Sequence, residues 1–225
     1  MNWKQRVLNS PLYDLLGKRS FAQAGEDMIV WSELRAKRGF YVDIGAYHPK
    51  QFSNTYYLYK RGWKGIVVEP NPEMVGLYKK IRSRDIALGV GVGEKNGVAD
   101  YFMFSDPAVN TFDAETAKKN KQVGRKLLGK KPVAILRLEK ILSEYLPKDT
   151  KIDLLSVDTE GKDEEVLSSN DWSRYRPKMV IAEDLDFDWE KPVKSGICRK
   201  MRGWGYKLVG LTPYSQIFKD QQKEK

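Results

Sequence analysis

Four short apolar runs that each end in a carboxylate govern what this chain can fold into: FYVDIG (40–45), GIVVEPNP (65–72), IDLLSVD (152–158) and KMVIAED (178–184). They are apolar almost throughout, so each suits a strand covered on both faces rather than one lying half in water. Helical segments lie between them. Asn71 and Pro72 make an N-cap and N1 pair, and EKILSEYL and KDEEVLSS read as further helices. DIALGVG (85–91), VADYFMF (98–104) and PVAILRL (132–138) add strands, the second with some alternation. GYKLVGL (205–211) and SQIFKD (215–220) read as a closing hairpin around Thr212 and Pro213. The pattern predicts an α/β chain on a mostly parallel sheet covered by helices on both faces. Ligands in such sheets bind beyond the carboxyl ends of the strands, which singles out Asp43, Glu69, Asp158 and Glu183.

A chain of 225 residues suits one domain, placed here at 20–220, with an insertion at 105–131. Residues 2–18 form a loose amphipathic stretch broken at Pro11, read as a helical extension over 1–19. Ser20 with Gln23 makes an S-x-x-Q capping box for a helix running to about Arg38, and residues 221–225 read as a disordered tail. The lone Cys198 excludes an intramolecular disulfide and a cysteine zinc site, and fits a reducing compartment. No stretch approaches the roughly 18 apolar residues of a membrane span, and the N-terminus lacks a secretory h-region. A soluble, unprocessed cytoplasmic protein is expected, with the inner membrane surface as a peripheral alternative. The net charge of +10 attracts nucleic acid, anionic lipid heads and phosphorylated substrates alike. Much of it sits in the insertion, at Lys118, Lys119, Lys121, Arg125, Lys126, Lys130 and Lys131 with no acid between. That run reads as a solvated face or as a grip on a phosphorylated acceptor.

The first strand-end turn narrows the cofactor. Dinucleotide folds place G-x-G-x-x-G there to cradle a pyrophosphate, whereas this chain has D-I-G-A-Y-H-P and no P-loop. An acid in that turn suits S-adenosylmethionine (SAM), which carries an ammonium and a sulfonium and no phosphate. Asp43 would face this positive end, Gly45 would let the backbone approach the ligand, and Glu69 would accept both ribose hydroxyls. Taken singly, each has a plain alternative as a turn residue or a helix-capping acid.

The run FYVDIGAYHPKQFSNTYYLYKRGWKGIVVEPNP (40–72) resembles the signature of the FkbM-type methyltransferases. SFAQAGED at 20–27, NTF at 110–112, IDLLSVDTEGKDEEVL at 152–167 and the closing GYKLVGLTPYSQIFKD agree with it, in family order. The resemblance implies a class I methyltransferase (Rossmann-like) three-layer sandwich, with a seven-stranded sheet whose last strand is antiparallel. It also implies SAM-dependent O-methylation of a sugar in a surface glycan or of a secondary metabolite. Thr159 and Lys162 depart from the family's usual aliphatic residue and histidine, changes expected to touch local packing more than cofactor binding.

An alcohol acceptor is a weak nucleophile, so a base or a metal is desirable. His48, the only histidine, has a suitable pKa, and its plain alternative is to shape the turn before Pro49. Asp158 and Glu160 flank Thr159 at a strand end, where they would serve as catalytic acid-base or substrate groups, hold Mg²⁺, or cap the following helix. The resemblance suggests that Gln23, Glu26 and Asp27 close over cofactor or substrate. Asn54, beside Ser53 and Thr55, and Asn110, beside Thr111, are candidates to contact the acceptor. Two rival functions stay open: a nucleic-acid methyltransferase, which lacks a recognisable RNA-binding module or N-P-P-[YF] motif here, and a non-catalytic binding module on the same fold.

Overall fold

The computed structural model describes residues 20–185 and 187–222. The N-terminal extension expected over 1–19 lies outside them, as do 223–225 of the expected tail. Seven strands form the main sheet: β1 (Phe40–Ile44), β2 (Lys64–Val68), β3 (Ile86–Leu88), β7 (Leu154–Val157), β8 (Met179–Glu183), β9 (Tyr206–Leu211) and β10 (Ser215–Asp220). Their order is β3-β2-β1-β7-β8-β10-β9. The strands from β3 through β8 pair in parallel, and β10, last in the chain, enters antiparallel between β8 and β9. This is the seven-stranded arrangement that the resemblance implies.

Residues on one strand alternate between two helix layers. Val42 and Ile44 of β1, with Ile66, Val68, Leu155, Val157 and Val180, face helices α5 (Leu138–Tyr145), α6 (Asp163–Ser168) and α7 (Gly196–Gly203). Tyr41, with Val67, Leu154, Met179 and Ile181, faces α1 (Glu26–Leu34), the single turn α2 (Tyr56–Tyr59) and α3 (Pro72–Ile81). Burying each Val, Leu or Ile fully contributes about 1.5–3 kcal/mol, which is why these runs carry no alternation. Asn71 caps α3 as expected, its side chain accepting from the Glu73 amide with Pro72 at the first position.

The capping box at Ser20 and Gln23 does not form. The Ser20 hydroxyl and the Phe21 amide both donate to the buried carboxylate of Asp27, at 2.6 and 2.8 Å. Helix α1 therefore starts only at Glu26, after the left-handed Gly25, and stops at Leu34. The two oxygens of the Asp27 carboxyl accept from both groups at once.

The segment read as a third strand divides. β3 joins the main sheet, whereas β4 (Gly91–Val92) pairs with β6 (Leu127–Leu136) in a second sheet ordered β4-β6-β5. β5 (Gly97–Phe104) and β6 form an antiparallel hairpin, with Gly97 opposite Ile135 and Phe104 opposite Leu127. The alternation within VADYFMF is thus that of a half-exposed antiparallel strand. Residues 127–131 of the expected insertion are strand, and its helix is α4 (Ala114–Gln122), with Ala117 and Asn120 buried. No helix among the described residues is long and apolar enough to cross a membrane.

Candidate active site

Beyond the carboxyl ends of β1, β2, β7 and β8 lies a cleft of about 370 Å³, roofed by the small sheet. Its floor begins at Gly45, whose amide donates to Val68 O at 3.0 Å, next to Ala46, whose amide reaches the same oxygen at 3.2 Å. Gly45 has φ +73°, and a Cβ there would stand 1.6 Å from the carbonyl oxygen of Asp158. Tyr47, Phe52 and Glu160 also hold positive φ, at 46°, 55° and 53°, and all three line the cleft. Such backbone costs on the order of 1–3 kcal/mol per residue and persists where surrounding contacts over-determine it, typically at ligand sites.

Glu69 closes the β2 end. One carboxylate oxygen accepts from the Tyr47 amide at 2.9 Å, and the other accepts from the Asn71 amide at 2.7 Å and from the Tyr101 hydroxyl at 3.5 Å. Burial pushes its pKa up to about 7, against the pull of the Asn71 and Tyr47 amides. Oε2 keeps a lone-pair site for a further donor, and Oε1 gains one by releasing the long Tyr101 contact. Val68, Pro70, Val90, Val92 and Phe112 supply apolar wall around it.

Across the cleft, Asp158, Glu160 and Glu183 bring carboxylate oxygens within 4.8 Å of one another. Burial raises the pKa of each; Asp158 and Glu183 are raised further by their neighbouring acids, and Glu160 by Asp163 against the pull of Arg125. Carboxylates this close disfavour one another's ionisation, which adds to the effect of burial. The acid serving the turn into α6 is instead Asp163, which accepts from the Thr159 amide at 3.0 Å. The insertion clasps this loop. The Thr111 hydroxyl donates to Glu160 O at 2.9 Å, and Lys162 pairs with Asp113 at 3.3 Å and with Glu165 at 2.8 Å. Asn110 is held beside it, its side-chain oxygen accepting from the Phe104 amide at 2.7 Å.

Of the residues singled out in the sequence, Gln23, Gly45, Glu69, Asn110, Asp158 and Glu160 meet in this cleft. Glu26, Asp27, Asp43, His48 and Asn54 do not line it, and Asp27 instead accepts from the Ser20 hydroxyl and the Phe21 amide. His48 forms its own turn, Nδ1 accepting from the Lys50 and Gln51 amides at 3.2 and 3.1 Å. Asp43 shares the β1 face of Tyr41, away from Ile44, and accepts from the Thr55 hydroxyl at 2.5 Å. Glu26 accepts from the Thr212 hydroxyl at 2.7 Å and from the Ala24 amide at 2.9 Å, tying α1 to the closing hairpin. Asn54 donates to the Ser156 hydroxyl at 3.0 Å. Conversely, Glu183 had been marked only as a strand-end acid and Arg125 only as one residue of the basic run, while Tyr47, Phe52 and Tyr214 complete the lining without having been expected there.

The family profile of the methyltransferase FkbM domain matches residues 43–208. The chain belongs to the FkbM methyltransferase family. No curated protein matches this FkbM chain significantly. Among solved structures, it is similar to a TehB-like SAM-dependent methyltransferase from Corynebacterium glutamicum, at 13% identity and TM-score 0.43, covering 98% of this chain and 97% of that one. It is also similar to precorrin-6y C5,15-methyltransferase from Geobacter metallireducens, at 11% identity and TM-score 0.40, covering 89% and 90%. The residues present fit the family's cofactor. A carboxylate with spare acceptor capacity ends β2, a glycine with no room for a side chain ends β1, and the facing acids complement a cationic ligand.

Proposed function

We propose that this FkbM methyltransferase uses SAM to methylate a hydroxyl of a sugar, in a glycan or a glycosylated metabolite. One observation carries the reading: three carboxylates with oxygens within 4.8 Å of one another line the same cleft as Glu69 and the rings of Tyr47, Phe52 and Tyr214. Carboxylates accept hydroxyl hydrogens, and ring faces pack against the apolar face of a sugar. When bound, SAM supplies the methyl electrophile and its leaving group. Glu69 accepts the two ribose hydroxyls, Gly45 lets the backbone lie against the ligand, and the apolar wall covers the adenine. Asp158 and Glu160 orient the acceptor hydroxyl and take its proton, a task for which a carboxylate with a pKa near the working pH is suited. These carboxylates are also the oxygen donors that Mg²⁺ takes; transfer lost on chelation and restored by Mg²⁺ would assign them that role.

The cleft is also lined by a cation close enough to Glu160 to act on its carboxyl. This is Arg125, with one guanidinium nitrogen donating to the buried Asn120 side chain at 2.6 Å. Lys118, Lys119, Lys121 and Lys126 stand exposed nearby in sequence, with no ion pair among the described residues. An acceptor carrying a phosphate or carboxylate besides the reacting hydroxyl, such as a nucleotide sugar or lipid-linked glycan, fits this cation. The test is methyl transfer from labelled SAM to paired neutral and phosphorylated sugars. Arg125→Ala should raise KM for the phosphorylated acceptor by about tenfold, the worth of one charge-assisted contact, with kcat kept. Transfer to no sugar, with strongly salt-dependent modification of RNA instead, would move the assignment to nucleic acid.

A further inference from the structure

A buried arginine outside the cleft hydrogen-bonds the loop that follows β1. Arg82, at the C-terminal end of α3, is fully buried. All five of its N–H donors are used. Nε donates to Asp85 at 2.7 Å; one terminal nitrogen donates to Pro49 O at 3.4 Å and the Ser53 hydroxyl at 3.3 Å; the other donates to the Tyr41 hydroxyl at 2.7 Å and the Thr55 hydroxyl at 2.9 Å. The guanidinium carbon also lies 5.2, 5.2 and 4.9 Å from the ring centres of Tyr41, Tyr59 and Tyr78. Tyr78 in turn donates to Ala46 O at 2.7 Å.

Pro49, Ser53 and Thr55 belong to the loop between β1 and α2, the loop that carries the Tyr47 amide to Glu69. Tyr47 and Phe52 within it hold the left-handed backbone. A desolvated arginine is an expensive way to gain stability, and an apolar side chain of similar volume often serves as well or better. The planar fork adds geometry, fixing three acceptors of one loop from a single rigid group. Asp43 closes the network by accepting from Thr55, so the first strand's acid acts on the loop rather than on the ligand.

We propose that Arg82, acting through Thr55 and Asp43, is the positioning residue that holds loop 45–55 in its cofactor-binding form; this rests on the cleft being the SAM site. The test compares wild type, Thr55→Val, Arg82→Lys and, as a stability control on the remote helix α5, Leu142→Ala. Amide hydrogen exchange is measured without cofactor, followed by SAM titration and thermal melting. In Thr55→Val, the Tyr47 and Ser53 amides should exchange about tenfold faster, with β7 and β8 unchanged, and SAM affinity should fall about tenfold. Arg82→Lys keeps the charge but not the fork and should behave likewise; should it fail to fold, Thr55→Val decides. Leu142→Ala should lower the melting temperature and leave loop exchange and SAM affinity alone. Loop exchange like wild type in Thr55→Val, or equal acceleration throughout the sheet, would overturn the proposal. A folded wild type that binds no SAM would remove the cofactor reading, and loop exchange would still decide whether the network holds the loop.

Discussion

Gly45→Ala is expected to lower the melting temperature by roughly 4–20 °C and to abolish SAM binding, given about 2–4 °C per kcal/mol for a chain of this size. Two costs add. An alanine at φ +73° occupies the left-handed region at about 1–2 kcal/mol. Its Cβ would also stand 1.6 Å from the carbonyl oxygen of Asp158, and relieving such overpacking costs about 1–3 kcal/mol more. The relief has to come from parting β1 from the loop after β7, and so from moving Asp158 relative to Glu69. Gly62→Ala separates the two terms, since Gly62 has φ +87° but nothing within 4 Å of a Cβ. That variant should lose only the backbone share and bind SAM normally. Equal melting temperatures for the two variants, with SAM binding kept, would show that the close approach at Gly45 does not matter.

Asp158→Asn and Glu160→Gln should each reduce methyl transfer by about 10²–10⁴-fold, the usual worth of a general base, while leaving SAM affinity within a few-fold. His48→Gln, outside the cleft, should keep its rate. The pH dependence carries a definite sign. The pKa values of Glu69 and Glu160 are both raised to about 7. A raised carboxylate stays protonated up to that pH, so the forms that accept ribose or acceptor hydrogens prevail only above it. Transfer should therefore climb between about pH 6 and 8 and then level off. Stability runs the other way. Folding holds the Glu69 proton up to about 7 against an ordinary value of 4.5, so its contribution is full below about 4.5 and declines as pH rises through 7. A flat rate profile over that range would contradict the proton-accepting role.

The sheet was legible because each central strand is buried on both faces and so nearly uninterrupted in sequence. The same property hid which way a side chain points. Asp43 and Glu69 end similar runs, yet Asp43 faces α3 with Tyr41 while Glu69 enters the cleft, and a run without alternation does not say which. His48 drew attention as the only histidine, but its Nδ1 is satisfied by its own turn. Glu183 could be marked as a strand-end acid, whereas its closeness to Asp158 comes from the parallel register of β7 and β8. The clasp of Thr111 on Glu160 and of Asp113 on Lys162 joins segments far apart in sequence, which local pattern does not reveal. Tyr214 reaches the cleft only because the closing hairpin folds back beside β8.

Calorimetric titration of SAM into wild type and Glu69→Gln, at about pH 8 and in metal-free buffer, tests the central claim most directly. Micromolar binding by wild type, weakened at least about tenfold (about 1.4 kcal/mol) by the substitution, is the result expected of a ribose-binding carboxylate at the end of β2. A folded wild type that does not bind SAM, or a Glu69→Gln variant that binds it equally well, would contradict the assignment of this cleft.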